Sequence, residues 1–97
     1  MKSVTEIKRL LQKEIPSLKE KYHVKEIGIF GSFVRGEQTR NSDLDIIVEF
    51  ASPIGLLKFV NLENYLHDLL GVKIDLVTKT ALKPYIGQHI LKEVIYI

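Results

Sequence analysis

Ninety-seven residues suffice for one small hydrophobic core and not for two, so a single domain over 1–97 is expected. The 45% hydrophobic and 27% charged residues exclude a wholly disordered chain, and the absence of cysteine excludes disulfides and thiolate metal sites. Fourteen basic against twelve acidic residues leave only +2, too small a surplus to argue for direct nucleic-acid binding.

No apolar run approaches the ~20 residues a membrane span needs. The opening Met1-Lys2-Ser3-Val4-Thr5-Glu6 is not followed by the hydrophobic core of a signal peptide, so a soluble cytoplasmic chain with no membrane partner is expected. Ser3 with Glu6 forms a capping-box pattern, and Val4, Ile7, Leu10, Leu11, Leu18 and Tyr22 recur at helical spacing. Pro16 should kink or split that helix. Val24 to Phe30 predicts a buried strand ending in the tight turn Gly31-Ser32, and Leu44 to Phe50 predicts a second strand.

Ser52-Pro53 has the pattern of an N-cap and first helical residue. Leu56, Phe59, Val60, Leu62, Tyr65, Leu66, Leu69 and Leu70 supply the apolar face of the helix that follows, and Gly71 its stop. Val72 to Val77 predicts a third strand. Pro84 opens a last helix carrying Ile86, Ile90, Leu91 and Val94, ahead of an apolar tail, Ile95-Tyr96-Ile97. The order helix, strand, turn, strand, helix, strand, helix implies an α/β (α+β) domain: a small mixed sheet with helices packed on it. Strand pairing is not readable from that order.

The placement of the acids carries the functional reading. Asp45 lies inside Leu44-Asp45-Ile46-Ile47-Val48 and Asp75 inside Ile74-Asp75-Leu76-Val77, although aspartate is depleted in strands and a buried carboxylate needs a partner. Alternation puts Asp43 and Asp45 on one face, while Leu44, Ile46 and Val48 turn to the other and fill a core. If the third strand lies beside the second, Asp75 completes a cluster of three carboxylates. Such hard oxygen ligands suit Mg²⁺, which accepts further oxygens from substrate phosphates. Gly31-Ser32 offers backbone N–H groups and a hydroxyl to an anion, and Arg35 stands close enough in sequence to reach a phosphate oxygen.

Gly31-Ser32-Phe33-Val34-Arg35-Gly36, followed by Ser42-Asp43-Leu44-Asp45-Ile46 and by Asp75 on a later strand, resembles the motif of the DNA polymerase β-like nucleotidyltransferase superfamily. The short chain is similar to its minimal members, the MntA-type antitoxins encoded beside HEPN-domain toxins; the resemblance covers essentially the whole chain, and no key position departs from it. The resemblance implies that Asp43 and Asp45 bind two Mg²⁺ ions holding the triphosphate, and that Asp75 shares the second ion and helps activate the attacking hydroxyl. It implies contacts from Gly31, Ser32 and Arg35 to the β- and γ-phosphates of ATP. It further implies AMP transfer from ATP to a tyrosine hydroxyl of the cognate HEPN ribonuclease toxin, which silences that toxin. The alternatives are an antitoxin that neutralises by binding alone and a transferase acting on a small molecule.

The remaining polar residues carry less. His23, His67 and His89 show no metal-ligand spacing, and Arg40 and Lys73 read as solvated charges. The tail Ile95-Tyr96-Ile97 leaves two readings open, an apolar contact between copies in a homo-oligomer or docking onto the domain's own sheet.

Overall fold

The computed structural model describes residues 2–82 and 84–97. Helix α1, Val4–Tyr22, is capped by Ser3, whose hydroxyl accepts from the Glu6 N–H at 3.2 Å. Its C-cap, His23, takes a left-handed conformation at φ 55° and donates its N–H to the Leu18 carbonyl. The helix is not split at Pro16. Pro16 and Gln12 are both exposed, so the Gln12 carbonyl that the proline leaves unbonded can be hydrated. Ile7, Leu11 and Leu18 on the other side are fully buried and keep the helix on the core.

Strands β1 (Val24–Phe30), β2 (Leu44–Phe50), β3 (Ile74–Thr78) and β4 (Ile95–Tyr96) form one mixed sheet in the order β3-β2-β1-β4. The β1–β2 and β1–β4 pairs are antiparallel and β2–β3 is parallel. The parallel step requires a crossover, which helix α3 (Leu56–Leu70) supplies. One face of β2 feeds Leu44, Ile46 and Val48 into a core shared with Ile7, Leu11 and Leu18 of α1 and Leu62, Leu66 and Leu70 of α3. The other face is left to Asp45, Ile47 and Glu49, as alternation demands. Each fully buried leucine or isoleucine of this core contributes about 1.5–3 kcal/mol against exposure, so the helices on this face anchor the strands that carry the acids.

Three sequence expectations change in and after α3. The helix begins at Leu56 with Gly55 as its cap, so Ser52-Pro53 belongs to the preceding loop. Its first turn stands outside the core, with Leu56 79% and Leu57 77% exposed and Val60 also exposed, whereas Phe59, Tyr65 and Leu69 pack against the core. The third strand starts at Ile74, two residues later than its apolar run suggests.

Helix α4, Pro84–Leu91, leads through a turn into β4, and the side chain of Ile86, expected on its apolar face, lies outside the described residues. The apolar tail docks on its own sheet. Ile95 pairs with Ile29, Tyr96 with Gly28, and the Ile97 N–H donates to the Ile27 carbonyl at 3.0 Å. The absence of a side chain at Gly28 permits this approach, because a Cβ there would stand 2.5 Å from Cγ1 of Val94. The tail's inner backbone edge is thereby paired within one chain, and nothing among the described residues supports a homo-oligomer contact through it. Among the described residues no helix is long and apolar enough to cross a membrane.

Candidate active site

The parallel register of β2 and β3 sets Asp45 directly against Asp75. Antiparallel pairing with β1 sets Phe30, the last residue before the Gly31 turn, against Asp45 on the other side. Asp45 is thus flanked by the second acid and by the residue that leads into the Gly31 turn. Asp43 lies just before β2 and is exposed, bordering a shallow hollow of about 280 Å³ with Glu63, Asn64, His67 and Lys73.

The acids are less buried than their sequence context suggests. Among the described residues no charged group is fully buried; Asp45 is partly covered, while Asp75, on the edge strand, is exposed. Mutual repulsion therefore adds to burial as the physical tension in the site. Desolvation, the Asp75 carboxylate and the Asp43 charge together push the Asp45 carboxyl up to about 6, against a smaller opposing pull from Arg35. A divalent cation would relieve that tension, and carboxylate oxygens are the donors Mg²⁺ prefers. The residues fit such an ion in chemistry, although among the described residues no three acidic or imidazole groups already stand together as a finished cation cage.

Gly31 adopts φ 81° and ψ −153°, a conformation essentially reserved for glycine. The space is as restrictive as the torsion, since a Cβ at Gly31 would lie 2.0 Å from Asp45 Oδ2. The turn therefore packs its backbone directly on the central carboxylate. After it the chain winds into the single turn α2, Ser32–Arg35, closed by Gly36 at φ 72°. Phe33 is buried and fixes the turn on the sheet, leaving Ser32 partly exposed and Arg35 exposed at the site.

Two acids that the sequence pattern does not single out occupy these groups. Glu93, in the turn between α4 and β4, accepts through Oε1 from the Gly31 N–H at 2.9 Å and from Arg35 Nη1 at 3.1 Å. Its Oε2 stands 3.3 Å from the same guanidinium nitrogen. Glu37 accepts from Arg35 Nε. The side-chain bond to Glu37 is the largest of several influences that raise the pKa of Arg35. Nothing in the local pattern around Glu93 signals this role, because the contact joins residues 62 apart in sequence.

Two carboxylates paired on adjacent strands, with a glycine turn packed on one of them and an arginine nearby, have the chemistry that a polyphosphate and a metal ion call for. The chain belongs to the nucleotidyltransferase domain family, whose pattern matches residues 11–97, and it is a nucleotidyltransferase. It is 52% identical over 98 residues to a chain of Methanocaldococcus jannaschii provisionally named a protein adenylyltransferase, MJ0126, with all of both chains covered. It is 46% identical over 97 residues to the protein adenylyltransferase MntA of Thermococcus cleftensis, covering all of this chain and 98% of that one.

Among solved structures, a provisionally named minimal nucleotidyltransferase superposes with a TM-score of 0.78 at 34% identity, over 93% of this chain and 92% of that one. A chain from a toxin–antitoxin complex with AMP-PNP superposes with a TM-score of 0.68 at 28% identity, over 95% and 69% of the two chains. The four-stranded mixed sheet with helices on it is therefore the minimal nucleotidyltransferase fold.

Proposed function

We propose that this chain is a Mg²⁺-dependent protein adenylyltransferase that moves AMP from ATP onto a tyrosine hydroxyl of a cognate HEPN ribonuclease toxin, acting as its antitoxin in the cytoplasm. The observation that carries this reading is Asp45, held between Asp75 and the Gly31 backbone with Asp43 and Arg35 close enough to act on its charge. The full-length match to the adenylyltransferase MntA and the AMP-PNP-bound toxin–antitoxin neighbour support the choice of nucleotide and partner.

Asp43, Asp45 and Asp75 would hold two Mg²⁺ ions. When bound, such ions neutralise the triphosphate and acidify the attacking hydroxyl. The chain's own residues do the rest. The Gly31 N–H and the Ser32 hydroxyl hold oxygens of the β- and γ-phosphates, and Arg35 adds a charge-assisted contact to them. This fixes the α-phosphorus near Asp45. Asp75, exposed at the sheet edge, is open to an acceptor arriving from another protein and helps draw off its hydroxyl proton. The acceptor oxygen bonds to the α-phosphorus, the bond from that phosphorus to the bridging oxygen breaks, and pyrophosphate departs with the electron pair. Beyond that proton transfer the protein contributes positioning and charge stabilisation, with no covalent enzyme intermediate.

Mass spectrometry of the partner toxin after incubation with this chain and MgATP tests the reaction. Addition of AMP to a tyrosine is expected, and an unmodified toxin that is nonetheless neutralised would replace catalysis with simple docking. The cradle has its own test. Ser32→Ala should weaken ATP roughly ten- to a hundredfold while leaving AMP nearly unchanged, since one charge-assisted hydrogen bond is worth about 1.5–3 kcal/mol. Equal weakening of both ligands in calorimetry would remove Ser32 from the β- and γ-phosphates.

A further inference from the structure

The donors assigned to the triphosphate are already engaged by a carboxylate of the same chain. Glu93 Oε1 accepts from the Gly31 N–H and from Arg35 at once, so a single anionic oxygen sits where these two groups converge. An anionic phosphate oxygen would seek the same two donors. The two cannot both be served, because Gly31 has one N–H.

The placement of Glu93 favours a movable contact. It lies in the turn after α4, where its N–H donates to the Ile90 carbonyl at 3.0 Å, and two residues before Ile95 is pinned to Ile29. The backbone is thus held on both sides while the side chain, 26% exposed, can rotate into solvent without breaking either attachment. Glu93 also adds a negative charge beside the turn that packs on Asp45, a carboxylate that already feels the charges of Asp75 and Asp43. A residue serving only to orient Arg35 would be redundant with Glu37, which holds the same guanidinium from its Nε side.

Resting on the nucleotide-binding reading above, we infer that Glu93 is a gate on the phosphate cradle: it occupies the triphosphate's oxygen position in the nucleotide-free protein and must swing out before ATP can seat. The closed form then lowers the apparent affinity by the fraction of molecules that are open. A gate closed in about ten molecules of every eleven raises the apparent Kd for MgATP about tenfold, and removing the carboxylate restores it.

Calorimetric titration of wild type, Glu93→Gln, Glu93→Ala and Glu37→Gln with MgATP and with AMP tests this. Both Glu93 variants are expected to bind MgATP about tenfold more tightly than wild type, with AMP unchanged and Glu37→Gln indistinguishable from wild type. MgATP binding that is unchanged or weaker in the Glu93 variants overturns the gate and leaves the nucleotide site in place. The gate is likewise overturned if Glu37→Gln tightens equally, which would mean through-space charge, or if AMP tightens equally. Failure of wild type and every variant to bind MgATP would remove the nucleotide site, and the gate with it.

Discussion

Replacing Asp45 by asparagine is expected to raise the melting temperature of the metal-free protein while destroying transfer. In the folded chain burial and the neighbouring Asp75 push the Asp45 carboxyl up to about 6, against an ordinary value of 3.8. The folded state thus holds this proton more tightly than the unfolded state, and stability falls as pH rises through the interval between those values. Above about 6 the ionised group is a net cost, and below its ordinary value that cost is gone. Asparagine has the same shape and no charge to repel Asp75 and Asp43. Discounted for the solvent that still reaches this carboxyl, the gain at neutral pH is about 1 kcal/mol, or roughly 5 °C at this chain length.

The melting-temperature difference between variant and wild type should therefore be widest above pH 6 and close towards pH 4. Transfer should fall on the order of 10²–10³-fold or more, as when a preorganised electrostatic contact to a transition state is lost. MgATP should raise the melting temperature of wild type and not of the variant, because only a ligand that binds the native state stabilises it. A variant less stable than wild type at pH 7 would mean that charge repulsion at Asp45 does not strain the fold. One that transfers AMP at the wild-type rate would take Asp45 out of the metal site.

Gly31→Ala should produce the opposite stability change and the same loss of function. Its backbone conformation alone costs an L-residue about 1–3 kcal/mol, and its new methyl group would collide with Asp45 Oδ2, 2.0 Å away. A destabilisation of about 2 kcal/mol or more is expected, a drop of roughly 10 °C at this size, together with loss of measurable MgATP binding. The collision and the torsional strain can be separated. In an Asp45→Ala background the methyl group meets no carboxylate, only the Cβ of residue 45 at 3.2 Å, so most of the collision is gone and the two substitutions should be less than additive in chemical denaturation. Strict additivity would show that the turn does not rest on Asp45.

Much of this architecture is legible residue by residue. The bounds of β1 and β2 follow from short apolar runs that end at a glycine-serine turn and begin after Ser42-Asp43. The helical spacing of Ile7, Leu11 and Leu18 survives Pro16 because the proline faces solvent, a detail the spacing does not reveal. The start of α3 is misleading in the sequence because Ser52-Pro53 has good cap chemistry, whereas the helix waits for Gly55. Leu56 and Val60 fit an apolar stripe, yet both stand exposed near the start of the helix.

What the amino-acid order determined by itself was local: the acids at Asp43, Asp45 and Asp75, the Gly31-Ser32 turn with Arg35 after it, and the alternation that turns Asp45 away from the core. Those facts depend on neighbours within a few residues, where backbone geometry and side-chain period act directly. The tertiary structure decided that β3 lies parallel to β2 in the register that sets Asp75 beside Asp45, and that the tail folds back along β1 to bring Glu93 onto Gly31. Both outcomes join segments far apart in the chain. They are selected by which faces α1 and α3 cover together, a preference spread over the whole core and absent from any single motif.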